Sequence, residues 1–176
     1  PFDFIIVSNG ASAYDKEGNV YFAEKVNGGL PFGESTLAQE LIKQLLQLTL
    51  NPCGISFDKT RYDFQPNSDI SVLKDVDEFV SSNAFCDTVE HTAEVTDMLK
   101  KRFGHYVNPI QNGRCIDITY VGVNKATGIA KLADCLEIPY ENIWTAGDNF
   151  NDMSMIKKYH GCAMTNGVDG LKKYSE

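Results

Sequence analysis

Two kinds of hydrophobic pattern divide the chain. Phe4-Ile5-Ile6-Val7 is a continuous apolar run, the pattern of a short strand buried on both faces in a parallel sheet. Asn9-Gly10 breaks it, and Asp15-Lys16-Glu17-Gly18-Asn19 turns the chain into a second strand at Val20-Tyr21-Phe22. Residues 34–50 carry the clearest helical spacing, with Leu37, Leu41, Leu45 and Leu48 on one face, Ser35 as the expected cap and Asn51-Pro52 as the stop. Two short strands follow, at 53–57 and 61–64, around a tight Asp58-Lys59-Thr60 turn. The spacing then predicts a helix over 71–82, with Val72, Val76, Phe79 and Val80 inward, a strand over 85–90 and a helix over 92–103. A hairpin is expected between 105–110 and 115–120, turning at Gln111-Asn112-Gly113.

From Asn124 onward the pattern changes to alternating helix and apolar strand. Helices are expected over 127–136 and 152–159 and from Val168, with strands at 143–145 and 162–164. This alternation predicts a doubly wound α/β unit, and the helix-strand-strand pattern before it predicts a separate α+β module. The link Asn27-Gly28-Gly29-Leu30-Pro31-Phe32-Gly33 is the expected hinge.

Composition narrows the function without naming it. The 176 residues suffice for one ordinary domain or two small ones, and the net charge of −8 disfavours nucleic acid and anionic membrane as partners. The five cysteines are widely spaced with no CxxC pair, which suits reduced thiols in a cytoplasmic protein better than a disulfide framework or zinc site. No apolar run approaches the ~18 residues of a membrane span. The chain opens on Pro1 directly before an apolar strand and closes in a helical pattern, so a piece of a longer protein is expected.

The candidate chemistry lies in Ile143-Trp144-Thr145-Ala146-Gly147-Asp148-Asn149-Phe150-Asn151-Asp152-Met153-Ser154-Met155-Ile156. It reads as a strand, an abrupt Gly-Asp turn and a helix start, capped by Asn151 or Asp152. Two carboxylates, Asp148 and Asp152, then sit at the carboxyl end of a strand, where open α/β sheets bind ligands. Hard oxygen ligands beside a free helix N-terminus suit Mg²⁺ and a phosphate together. A capped turn with acidic residues favoured by the helix dipole explains the same spacing.

Gly147-Asp148-Asn149-Phe150-Asn151-Asp152 resembles the GDxxND motif of the haloacid dehalogenase (HAD) superfamily, in particular its Cof-type sugar-phosphate phosphatases. Three further segments resemble that family in the right order: Ser8-Asn9-Gly10-Ala11 with Asp15 and Gly18, Lys125-Ala126-Thr127-Gly128, and Gly161-Cys162-Ala163-Met164-Thr165-Asn166-Gly167 with Lys172. The resemblance implies an α/β fold: a partial HAD-like Rossmannoid core over 1–27 and 119–176, with an inserted α+β cap domain of the C2 type over 28–118. It implies that Asp148 ligates Mg²⁺ directly and that Asp152 is a second ligand or holds a metal-bound water. Asn151 would donate to the phosphate, and Lys125 would neutralise charge on the phosphoryl oxygens and the nucleophile. Asn9 would lie near the site, although an Asn-Gly turn accounts for it too. Ser8, ending an apolar strand, imitates the family's phosphate-binding Ser/Thr motif, but the following Asn-Gly-Ala fits a later core strand better. The three histidines, His91, His105 and His160, match no motif.

The family's nucleophile is the first aspartate of a D-x-D that ends a strand, and no such motif is found here. Asp75-Val76-Asp77 has the letters but lies in the pattern expected to be a helix, and Asp3 begins its strand. The expectation is a Mg²⁺-dependent phosphatase of small phosphorylated metabolites, acting through an aspartyl-phosphate, of which these residues form an inactive part. A phosphate-binding pseudoenzyme and a phosphomutase of the same superfamily are the alternatives, and the oligomeric state is open.

Overall fold

The computed structural model of the chain describes residues 2–27, 29–57 and 60–174. It divides into two compact units, unit 1 (residues 1–23 with 123–176) and unit 2 (residues 24–122). The expected hinge at 27–33 includes Gly28, which lies outside the described residues, as do Asp58 and Lys59 of the expected turn.

Unit 1 begins with β1 (Phe4–Val7), which pairs antiparallel with β2 (Ser12–Asp15), and β2 in turn pairs with β3 (Val20–Ala23). This corrects the parallel, doubly buried strand expected from the apolar run. β1 is an edge strand of a three-stranded sheet, and its Ile5 and Val7 are exposed.

The 24–122 unit opens with β4 (Val26–Asn27) and then α1 (Leu37–Thr49). The cap of α1 is Thr36, not Ser35: its hydroxyl accepts from the Gln39 amide while the Gln39 side chain accepts from the Thr36 amide, a complete capping box. The Thr36 hydroxyl also donates to the Leu73 carbonyl at 2.9 Å, which ties the helix start to the next segment.

β5 (Cys53–Phe57) and β6 (Thr60–Phe64) form the expected hairpin arms. The helix expected over 71–82 does not form. A single 3-10 turn over Ser71–Asp75 gives way to β7 (Glu78–Phe79), which pairs with β4, and to β8 (Ser81–Phe85). The strand expected over 85–90 is therefore displaced toward the N-terminus. The physical reason is tertiary: β8 is the central strand of the sheet β6-β5-β8-β10-β9, with a ladder on each side, and that pairing overrides the local helical spacing. Asp75 and Asp77 accordingly lie exposed in the turn and just after it, not on a helix face.

Thr88 caps α2 (Val89–Phe103), which starts earlier than the spacing suggested, and β9 (Val107–Asn112) pairs with β10 (Cys115–Tyr120). Asn112 pairs with Cys115, so the hairpin turns at Gly113-Arg114, one position later than expected. Leu41, Ile42, Leu45, Ile55, Leu99, Phe103, Ile116 and Ile118 pack into one core in this unit.

Unit 1 resumes with α3 (Lys125–Cys135), β11 (Trp144–Gly147), α4 (Met153–Lys158), β12 (His160–Ala163) and the short α5 (Asp169–Lys172). β11 and β12 are parallel, as alternation of helix and strand requires. They are the one parallel pair among the described residues, so of the expected doubly wound sheet only two parallel strands are seen.

Candidate functional site

β11 ends at Gly147, and the chain turns sharply through Asp148 and Asn149 into a 3-10 turn over Phe150–Asp152. Asp152, one of the two expected caps, stands at the N-cap position of α4 but makes no capping hydrogen bond to it, and the preceding 3-10 turn is capped by Asn149. Asn149 accepts from the Phe150 amide at 2.7 Å, and Asp152 folds back so that its Oδ2 accepts from the amides of Asp148 at 2.9 Å and Asn149 at 3.2 Å. Gly147 makes that fold possible, because a Cβ there would meet Asp152 Cβ at 2.4 Å. The Asp148 backbone is held from the other side by the Val168 amide at 2.9 Å, which draws the 164–168 segment around the turn.

The Lys125 ammonium makes an ion pair with Asp152 Oδ1. Lys125 opens α3, whose start is fixed by an Asn124–Thr127 capping box. Two contacts lock α3 against α4: the Tyr159 hydroxyl donates to the Ala126 carbonyl at 2.9 Å, and the Ala126 amide donates to the Ser154 hydroxyl at 3.3 Å. A third packs α3 on the turn after β1, where a Cβ on Gly128 would lie 2.5 Å from Gly10 Cα and 2.7 Å from Gly10 O.

That turn is conformationally costly. Ser8 and Asn9 both have left-handed backbones, with φ of 51° and 50°, and Gly10 follows at φ 102°. Asparagine tolerates this region and serine does so less readily, and such strain collects at functional sites. The Asn9 side-chain oxygen accepts from the Asn151 amide at 3.3 Å, and Asn151 is buried. Ser8 helps close the turn, its carbonyl accepting from the Ala11 amide.

Residues 9, 125 and 151–152, distant in sequence, therefore meet in one place, with Asp148 exposed on the turn beside them. Burial pulls the Asp152 carboxyl upward, but the Lys125 hydrogen bond, the amides of Asp148 and Asn149 and the Lys125 charge outweigh it and hold the carboxyl below its ordinary range. Lys125, Asn9 and Gly10 also line a cavity of about 420 Å³ whose remaining walls are apolar: Phe4, Ile6, Ile129, Leu132 and Met155.

For Mg²⁺ the donors are right in kind but few in number. Asp148 offers a carboxylate, whereas both Asp152 oxygens already serve Lys125 and two backbone amides. Among the described residues no group of three or more His, Cys, Asp and Glu side chains is placed to hold a metal ion.

Lys172, matched by resemblance, pairs with Asp169 on its own helix at 3.0 Å. His160 stacks on Trp144 with ring centroids 4.6 Å apart. Gly128 and Ser154, which help position Lys125, fall within the quoted segments but were given no role there, and Tyr159 was not singled out. Tyr159 could have been suspected only from its place at the end of an amphipathic stretch.

A sequence profile of the haloacid dehalogenase-like hydrolases matches residues 2–176. The chain belongs to that family. A curated relative, the 5-amino-6-(5-phospho-D-ribitylamino)uracil phosphatase YitU of Bacillus subtilis, is 42% identical over 60 residues, which is 33% of this chain and 22% of that protein. Among solved structures, a haloacid dehalogenase-like hydrolase from B. subtilis superposes with a TM-score of 0.76 at 20% identity, over 98% of this chain and 73% of its own. A HAD/COF-like hydrolase from Plasmodium vivax superposes at 0.75 and 19% identity, over 95% of this chain and 63% of its own. The chain thus shares the mixed α/β fold of these hydrolases over part of their length, and its matched stretch is under a quarter of the curated relative.

Proposed function

We propose that this chain is the phosphate-binding part of a phosphatase of small phosphorylated metabolites, with the cluster around Lys125 as its phosphate site. The observation that carries this reading is the convergence of Lys125, Asn151 and Asn9 on one strained turn beside the Asp148 carboxylate. A phosphoryl group needs fixed donors around its oxygens and a cation to neutralise them. The Asn151 amide and the Lys125 ammonium are such donors, held by the Asn9 contact and by the locked start of α3. A divalent cation would contribute charge neutralisation and would be held by Asp148, with Asp152 as a further oxygen donor or outer partner. The curated relative's phosphatase activity on a phosphorylated ribityl compound agrees in class with this reading.

Turnover requires an attacking group as well. Asp75 and Asp77 lie exposed in unit 2, and no other D-x-D occurs in the 176 residues. On this reading the chain binds phosphate but leaves an aryl phosphate unhydrolysed, because the two-step displacement lacks its positioned carboxylate. The test is a two-dimensional NMR titration of the ¹⁵N-labelled chain with inorganic phosphate and Mg²⁺. The expected result is that the amides of Asn9, Lys125 and Asn151 shift, and that Lys125→Ala weakens the effect at least tenfold. Shifts absent from this cluster would overturn the site, and Mg²⁺-dependent hydrolysis lost on changing Asp75 or Asp77 would overturn the account of the nucleophile.

A further inference from the structure

The start of α3 is held twice at a single residue. Ala126 is buried, its amide donates to the Ser154 hydroxyl at 3.3 Å, and its carbonyl accepts from the Tyr159 hydroxyl at 2.9 Å. The first bond has a local explanation. Ala126 is the second residue of the helix, so its N–H has no partner inside α3 and must find one outside. The second bond has no such reason. A carbonyl in the first turn of an α-helix already accepts from the amide four residues on, so Tyr159 adds a donor that α3 does not need.

Tyr159 is itself well fixed. It is 8% exposed, and its ring meets that of Tyr140 edge-on with centroids 5.8 Å apart. The Lys158 ammonium lies over both rings, 5.1 Å from the centroid of Tyr140 and 5.5 Å from that of Tyr159. Burial pushes the Tyr159 phenol up to about 12, so the hydroxyl keeps the proton it donates throughout the neutral range.

What the extra bond fixes is a distance. Ser154 stands on the first turn of α4 and Tyr159 just past its last, while Asn151 and Asp152 immediately precede that helix. Lys125 is the neighbour of Ala126, and its ammonium pairs with Asp152. Gripping Ala126 from both ends of α4 therefore sets where the ammonium stands relative to Asn151 and Asp152. We infer that Tyr159 is a positioning residue for Lys125, acting through the Ala126 carbonyl to keep the ammonium within reach of the same anion as the Asn151 amide. In taking that anion to be phosphate the inference rests on the proposed phosphate site; the placement of Lys125 does not.

Tyr140 supplies a control. Its hydroxyl donates to Asp134 at 3.0 Å, near the other end of the same helix. Tyr140→Phe thus also removes a phenol hydroxyl that anchors α3, yet leaves the Ala126 carbonyl bonded. The experiment compares Tyr159→Phe with Tyr140→Phe in the whole ¹⁵N,¹³C-labelled chain by NMR. It reads the Kd for inorganic phosphate from the amides of the cluster, and the Lys125 ε-methylene signal, which Lys125→Ala identifies by its loss. Tyr159→Phe should raise the phosphate Kd about five- to tenfold and move the Lys125 signal toward that of solvated lysines, while the amide spectrum stays folded. Tyr140→Phe should leave both where they are. A wild-type Kd with an unmoved Lys125 signal in Tyr159→Phe, or equal losses in the two variants, would overturn the inference. If the unaltered chain gives no phosphate shifts at Asn9, Lys125 and Asn151, the phosphate site fails and the Lys125 signal alone decides: its movement in Tyr159→Phe supports the positioning role, and its constancy sinks it.

Discussion

Gly10 and Gly128 decide where Lys125 stands. Neither has room for a Cβ: one added at Gly10 would meet the Asn124 carbonyl oxygen at 2.1 Å, and one at Gly128 would meet backbone atoms of Gly10. Backbone cannot yield as a flexible side chain does, so Gly128→Ala should cost about 1–3 kcal/mol of stability, read as a lower urea midpoint with unchanged slope. It should also weaken phosphate binding, since α3 would be pushed off the Asn9 turn. A normal midpoint would mean that the two backbones do not meet as described. Thiol chemistry gives a second residue-scale test. Burial, reinforced by the Asp63 charge, pushes the Cys53 thiol up to about 12, and burial with the Asp117 charge does the same at Cys115. A thiol raised this far stays protonated at pH 8 and is a poor nucleophile. With a disulfide reagent at that pH, exposed Cys135 and Cys162 should react in the native protein and Cys53 and Cys115 only after unfolding. Prompt native-state labelling of Cys53 would contradict its burial.

At the scale of elements, α1 and β8 show opposite relations between local signal and outcome. α1 has its leucine face, its capping box and its core contacts all in agreement, so only the cap was misplaced by one residue. Thr36→Ala removes both the cap and the bond to the Leu73 carbonyl, and should cost about 1–2 kcal/mol, whereas Ser35→Ala should cost little. Equal effects of the two in thermal denaturation would restore Ser35 as the cap. β8 has almost no local signal. Its Ser81-Ser82-Asn83-Ala84-Phe85 sequence is polar and short, and its strand state comes from the ladders with β5 and β10.

For the whole molecule, the two units differ in how they are held. The large fully buried side chains, Leu37, Leu41, Ile42, Leu45, Ile55, Leu73, Phe79, Leu99, Phe103, Ile116 and Ile118, belong to unit 2. Unit 1 buries Ala11, Ala13, Ala126, Ala130 and Ala133, with Ile156, Tyr159 and Leu171 as its larger contributions. Apolar burial is worth roughly 25 cal/mol per Å², so an alanine-rich core stabilises far less than a leucine-rich one. Unit 1 should therefore open first. Hydrogen exchange at rising denaturant should show amides of α3, β11 and α4 exchanging before those of α1, β5 and α2. A single cooperative transition for both sets would contradict this ranking. The same incomplete donor set predicts weak Mg²⁺ binding, and calorimetry finding tight binding that survives Asp148→Asn would be contrary to it.

The sequence by itself determined what rests on local chemistry: the leucine face of α1, the presence of the β9–β10 hairpin though not its turn residues, the Gly147-Asp148 turn and the four family-like segments in order. These depend on periodicity, turn preference and residue identity, which neighbours in the chain already specify. The tertiary structure decided what depends on partners far along the chain. It put strand at Ser81–Phe85 where the helix expected over 71–82 should have ended, because the centre of a sheet supplies hydrogen bonds that no local pattern records. It left β1 on an edge with Ile5 and Val7 exposed, although the apolar run suited an inner strand. It also brought Asn9 to Asn151 and Lys125 to Asp152 through close packing at Gly10 and Gly128. A missing Cβ leaves no hydrophobic signature in the sequence, so that approach becomes visible only once the two backbones meet.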